Sequence, residues 1–356
     1  MTRRRIGVVG AGIIGLNSAY ALSREGHDVV VFDPAPARGA TYAAAGMLAP
    51  SAEIAPGEER NYELQRDAVN RWRILAQQLV EDGAGHVALH DVGTLLTGWD
   101  ASDRRLVQQS AEVLRQFGVA TPLVTRDERP DAFTGLSDRI TAGIWLAGDA
   151  WLDPDEAVAT LTTALVNAGV SIVREAVEET VQNGPRRRVT TATGSDEFDA
   201  VIFATGAAPT VSGLKPQESV RSIRGVTVRL QGLDRLGQPM VRSFVRGRPF
   251  YLVGRHDGYC VVGASAEEKA TASIETGEFY RLLRDALDVV PALETASWLE
   301  TRLGHRPVAP SGEPFFESNI AERWAWSSGH YRHGVTLAPL AATWAVSFVQ
   351  GLDHVG

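Results

Sequence analysis

Ile6-Gly7-Val8-Val9, Gly10-Ala11-Gly12-Ile13-Ile14-Gly15, an apolar-faced run to Gly26, then Val29-Val30-Val31-Phe32-Asp33: the reading of this opening stretch decides the fold. The order is strand, glycine turn, helix, second strand and acid. A dinucleotide pyrophosphate must come close to backbone N–H groups at a helix N-terminus, where the dipole favours anions. Gly10 makes the tight turn, Gly12 lets the phosphate approach, and Gly15 lets helix and strand pack closely; Ile13 and Ile14, between Gly12 and Gly15, are candidate cofactor contacts with them. Asp33 ends the second strand, where a carboxylate accepts hydrogen bonds from a ribose diol. Glycine spacing alone is a weak signal. The surrounding order of elements carries the reading of a dinucleotide-binding α/β domain over that of a purely structural turn.

Bulk properties narrow the field. The chain has 356 residues, room for two domains or one large interleaved one. A formal charge of −8 speaks for solubility and against nucleic acid as a partner. The single cysteine, Cys260, excludes an internal disulfide and a thiolate metal cluster, and it suits a reducing cytosol. A cytoplasmic location and no metal are therefore expected. No signal peptide is expected, because the early apolar stretch is broken by glycines. The late apolar run, Val335 to Val349, is shorter than a membrane span and contains Pro339, so it reads as a buried helix.

Further along, Ala40-Thr41-Tyr42-Ala43-Ala44-Ala45-Gly46-Met47 holds small residues around one aromatic. Small side chains let a flat ring lie against backbone, so a cofactor-covering loop is preferred to a merely flexible one. Glu58 to Val80 and Leu106 to Phe117 read as helices, His90 to Leu96 as a strand, and Gly148 to Leu152 as a turn. Asp153 caps a helix that begins at Pro154 and runs to Asn167. Val170 to Val173 and Asp199 to Gly206 are strands of the buried parallel kind, the second ending in Ala204-Thr205-Gly206, where backbone can pass close to a ligand. From Ser222 to Ala264 the pattern alternates, which signals an antiparallel sheet. Phe279 to Leu287 is helical, and Trp324 to Ser327 returns to the first style. The fold class is thus α/β, a Rossmann-type nucleotide domain from residues 1–85, 140–215 and 301–356. The interleaved antiparallel-sheet substrate domain takes 86–139 and 216–300.

Only one glycine fingerprint is present. Flavoenzymes that draw electrons from NADPH need a second such site, so the electrons here come from the substrate. At this point Gly10 to Gly15 with Asp33, Thr41 to Met47, Asp199 to Gly206, Gly304-His305-Arg306-Pro307 and Gly329-His330-Tyr331-Arg332-His333-Gly334-Val335-Thr336-Leu337-Ala338-Pro339 together resemble the D-amino acid oxidase superfamily. Within it the chain is most similar to the glycine oxidases of thiamine biosynthesis. The resemblance runs from end to end and implies non-covalent FAD, oxidation of an amine next to a carboxylate, and a homo-oligomer. It places Ala40, Thr41, Ala45, Gly46 and Met47 over the cofactor. It also implies that main chain near Glu178 meets the adenine.

Arg306 is the candidate carboxylate clamp, because an arginine fork matches a carboxylate bidentately; a structural salt bridge is the plainer reading, and the resemblance favours the clamp. Tyr251 falls at a pocket tyrosine of the family, its hydroxyl a donor to the same carboxylate, or else it is an aromatic on a sheet face. Arg332 is either a second substrate-side cation or a loop-holding residue, and Met47 borders the same space. Arg332, His333 and the backbone N–H groups of Gly334, Val335 and Thr336 are expected near the flavin pyrimidine, where they would stabilise negative charge.

The expected reaction is hydride transfer from a small amino acid to FAD, with O2 as acceptor and peroxide as product. The amine lone pair drives that step, so no side-chain acid or base is assigned. His256, His305, His330 and His333 are read as surface or loop residues. Three features depart from the family pattern: Tyr42, Ser265, and Pro310 to Phe316 after the clamp. Rival readings are a D-amino acid dehydrogenase passing electrons to a quinone, an NAD-dependent dehydrogenase, and a non-catalytic flavoprotein.

Overall fold

A computed structural model describes residues 2–54, 59–208, 211–232, 239–269 and 271–354. Its first sheet has six strands in the order Phe315–Asn319, Trp324–Ser328, Ala200–Phe203, Arg5–Val9, Asp28–Phe32 and Ser171–Val173. All neighbours are parallel except the outermost pair, 315–319 with 324–328. The central strands are buried on both faces, which is why they read as unbroken apolar runs. The helix Ile13–Arg24 lies on one face with Leu16, Ala19 and Tyr20 in the core.

The last helix, Gly334–Gly351, packs beside it. Pro339 sits inside that helix and has no N–H to give the carbonyl of Val335. The indole N–H of Trp72 donates to that carbonyl instead, at 2.8 Å. Trp72 belongs to the long helix Glu59–Glu81. Glu58, the start expected from the sequence, lies outside the described residues.

The second sheet has eight strands: Ser297–Val308, Arg221–Gln231, Tyr259–Gly263, Arg248–Gly254, Met240–Val245, Thr94–Gly98, Ala142–Leu146 and Leu123–Thr125. Neighbours are antiparallel apart from Met240–Val245 with Thr94–Gly98. Residues 142–146 and 301–308, grouped above with the nucleotide part, are therefore strands of this sheet. One face is covered by the helix Thr276–Val289 over an apolar core that includes Val228, Leu252 and Val262. The other face looks toward the nucleotide sheet.

Two expectations need correction. Residues 40–43 form a helical turn, Ala40–Ala43, and not an open loop. The turn expected at 148–152 contains a strand, Ala150–Trp151, that pairs with Met47–Leu48. A three-stranded antiparallel meander, Val177–Asn183, Arg186–Thr191 and Ser195–Phe198, lies between the strands 171–173 and 200–203 in sequence.

Candidate active site

Every sequence candidate except Gly15, Glu178, His333 and Thr336 lines one cavity of about 690 Å³ between the two sheets. At its nucleotide end, the N–H of Gly10 donates to Phe32 O and that of Ala204 to Val9 O, both at 2.8 Å, tying three strand ends together. Gly10 has φ +105°, and a Cβ there would stand 2.4 Å from Ala204 O. A Cβ on Gly15 would stand 1.8 Å from Gly10 O, so Gly15 acts beneath the turn and not in the cavity. The carboxylate of Asp33 accepts N–H bonds from Ala11 at 2.7 Å and Ala35 at 2.8 Å. It is thereby fixed at the cavity wall with lone pairs to spare for a diol. These are the features a dinucleotide requires: a backbone cradle, a helix start and an oriented acid.

The 40–47 segment is pinned from both sides. Thr41 Oγ1 accepts the N–H of Ile13 at 3.0 Å, closing the start of the first helix. Thr227 donates to Ala43 O at 3.1 Å, and Arg302 donates to Tyr42 O at 3.0 Å. Gly304 leaves space for Ala40 and Ala43 to rest on the sheet. Tyr42 turns out of the cavity, its hydroxyl donating to Glu300 at 3.2 Å with the Arg302 guanidinium over its ring. Gly46, at φ +74°, has no room for a side chain against Leu152 O. Thr336 sits behind this segment and donates to Met47 O at 3.1 Å. Glu178 is exposed on its strand, and Ala176 and Val177 border the cavity in its place.

The opposite end is built on the open face of the eight-stranded sheet. Side chains alternate along a strand, so cross-strand partners share a face. One row runs Arg242, Tyr251, Gly263, Thr227, Arg302. Gly225, Gly304 and Arg306 lie on the same face two and four residues along. A Cβ on Gly263 would fall 2.1 Å from the Tyr251 ring, and one on Gly225 would fall 2.2 Å from the Arg306 guanidinium. The two glycines thus let two large side chains lean inward over neighbouring strands. Arg306 donates to Ser265 O at 3.0 Å, and among the described residues no carboxylate lies within ion-pair distance of it. Ser265 is itself held, accepting the N–H of Val226 at 2.9 Å and donating to Glu278, which forms a buried pair with Arg224. Burial pushes the Tyr251 hydroxyl up to about 12 against the pull of Arg306, so it remains a donor at neutral pH.

Several residues of this end were not foreseen from the sequence. Glu53 closes a short helix, Pro50–Glu53, and is buried. Burial alone would raise its carboxyl, but His333 foremost, then Arg242 and Arg332, hold it at about 2. Glu53 Oε2 is 3.4 Å from His333 Nδ1, and Arg332 donates to Glu53 O at 2.8 Å. Arg332 therefore both borders the cavity and holds the 50–53 segment. Asp149 anchors the start of that helix by accepting from Ser51 and Ala52 N–H, each at 3.1 Å. It is fully buried, and burial raises its carboxyl to about 7. His330 and His333, expected at the surface or in a loop, are buried. Burial, then the neighbouring His333, lowers His330 to about 4, which keeps it neutral near pH 7. Arg242, on the strand beside Tyr251, also borders the cavity. Nothing in its local sequence marked it; only the sheet register brings it there.

Known proteins share this architecture. A family model described as FAD dependent oxidoreductase matches residues 5–347. The bifunctional protein ThiO/ThiG of Trichormus variabilis is 26% identical over 356 residues, covering 97% of this chain and 52% of that protein. The chain thus spans about half the length of the first curated relatives it matches. The putative thiamine biosynthesis oxidoreductase ThiO of Rhizobium etli is 30% identical over 348 residues, covering 95% of this chain and 94% of the relative. The crystal structure of glycine oxidase from Geobacillus kaustophilus superposes with a TM-score of 0.89 at 23% identity, covering 99% of this chain and 95% of that one.

Proposed function

The chain belongs to the FAD-dependent oxidoreductase family, and from that premise we propose that it oxidises the carbon–nitrogen bond of a small amino acid to an imine. Bound FAD would supply the two-electron acceptor for the hydride, with O2 as the terminal acceptor and peroxide as its product. The observation that carries this reading is the Arg306–Tyr251 pair. A guanidinium without an acid partner among the described residues and a protonated hydroxyl lean over the same cavity that the glycine turn opens into.

Arg306 takes the substrate carboxylate through N–H groups not used by Ser265 O, and Tyr251 adds an O–H donor. The substrate's Cα–H bond breaks with both electrons, the amine lone pair forms the C=N bond, and water then releases ammonia and the oxo acid. No side chain has to take the Cα proton. His330 is neutral and meets the Ser327 hydroxyl at 3.4 Å, and the Glu53 carboxylate is engaged by His333 and Arg332. Ala43, Ala45 and Met47 add buried apolar side chains to the cavity wall. The cofactor assignment to Gly10, Gly12, Asp33, Thr41 and the Gly334–Val335 backbone belongs to the same proposal.

The test is the visible spectrum of the purified protein before and after anaerobic glycine, D-alanine and sarcosine. The proposal expects bleaching by at least one amine, with colour and peroxide returning in air. A yellow protein bleached by none of these or by larger amino acids would refute it. Bleaching without recovery in air would keep the amine chemistry and replace O2 by another acceptor.

A further inference from the structure

Arg242 is the cavity's unexplained charge. It rises from Met240–Val245 as the cross-strand neighbour of Tyr251 and borders the cavity. Its Nε is buried with no acceptor, and among the described residues it has neither a hydrogen bond nor a carboxylate within ion-pair distance. The nearest acid in its field, Glu53, is within ion-pair reach of Arg332 and His333 instead. Burial lowers the guanidinium's proton affinity, with Glu53 opposing only in part. A partly buried guanidinium whose Nε has no acceptor is costly, and such a charge in a cleft marks a ligand contact more than a scaffold.

The geometry also gives the ligand a length. Arg306 rests its guanidinium over Gly225, three strands from the strand of Arg242, about 14 Å across the sheet at ~4.8 Å per strand. Tyr251 and Gly263 fill the interval with one ring and no side chain. Arg242 and Arg306 line the same cavity from these two strands. Each fork fits a planar oxyanion bidentately.

We propose that the preferred substrate is an amino acid with a second carboxylate, the first held by Arg306 and the second by Arg242. This rests on the amine-oxidising reading above, and its test is arranged to fail separately. The holoenzyme is titrated with inert acetate and propionate, and with malonate, succinate and glutarate, by isothermal calorimetry. In parallel, flavin reduction is measured with glycine and D-alanine, and with D-aspartate, D-glutamate and iminodiacetate. Both sets are repeated on Arg242→Met and Arg242→Lys, each checked for flavin content.

At least one dicarboxylate should bind about 10-fold or more tighter than the monocarboxylates. Arg242→Met should bring dicarboxylate affinity down to that of the monocarboxylates, a loss of about 10-fold or more. Arg242→Lys, which keeps the charge and loses the fork, should restore part of it. If no amine reduces the flavin, the calorimetric preference still decides this inference. Equal binding of both acid classes by the parent protein would overturn it, as would a preference that survives Arg242→Met.

Discussion

At one end of the cavity Gly10, Gly12 and Gly15 fall within a single turn of chain; at the other Gly225 and Gly263 come from two strands well separated in sequence. Both sets remove side chains, but for different neighbours. A Cβ on Gly10 or Gly15 meets main-chain oxygen, which cannot move without unmaking the turn. A Cβ on Gly225 or Gly263 meets the tip of a long side chain, which can swing away. The first end is therefore a backbone template, and the second is a set of berths for movable groups. Substitutions at the first should cost fold and cofactor, and those at the second should cost recognition.

That contrast ranks the expected effects. Gly15→Ala forces a contact of 1.8 Å on Gly10 O. It should cost more than the ~3 kcal/mol of ordinary overpacking and yield colourless or insoluble protein, read as flavin absorbance per mole and as Tm. Arg306→Met should leave flavin content intact and lower kcat/KM about 10²–10³-fold, read by steady-state kinetics on the best amine. Gly225→Ala displaces the Arg306 guanidinium without touching its strand. It should raise KM about 10-fold, equivalent to ~1.4 kcal/mol, at unchanged flavin occupancy. Loss of flavin from Gly225→Ala would erase the distinction between the two ends.

An effect read in stability and not in activity belongs to the support of the Glu53 segment. The Asp149 carboxyl is raised from 3.8 to about 7 by burial, so the folded protein favours its protonated form. Its stabilising contribution is full below about pH 4 and is lost as pH rises toward 7. Asp149→Asn should flatten the dependence of Tm on pH across that window while leaving the Arg306 chemistry in place. An unchanged slope would mean that Asp149 is ionised at neutral pH.

The template end was legible in the sequence because its determinants are local. Turn glycines, strand, helix and acid follow one another, and the resulting cavity wall includes Gly10, Asp33, Thr41 and Gly206 as expected. Arg306 and Tyr251 could be reached only through a family resemblance, since their convergence depends on four strands in register. Arg242 and Glu53 escaped for the same reason. Arg242 is one of many arginines in the sequence, and Glu53 lies in a segment whose helix is too short to show a period. His330 and His333 were misread because a polar residue in a glycine-rich stretch looks exposed until the Gly334–Gly351 helix is packed behind it.

The parallel pairing of Thr94–Gly98 with Met240–Val245, and of Ala200–Phe203 with Trp324–Ser328, has a consequence for assembly. Neither sheet can be completed from chain made early, because each waits for a strand encoded far downstream. The closure entropy of such long loops must be met before the pairing rewards it, which slows folding. Until residues 324–328 emerge, the apolar Ala200–Phe203 strand has an open edge, the kind of surface on which nascent chains stick to one another. Yield in cells should therefore depend on temperature and chaperone supply more steeply than the stability of the finished molecule would suggest, and a cofactor that needs both sheets can enter only after synthesis has passed the last of their strands.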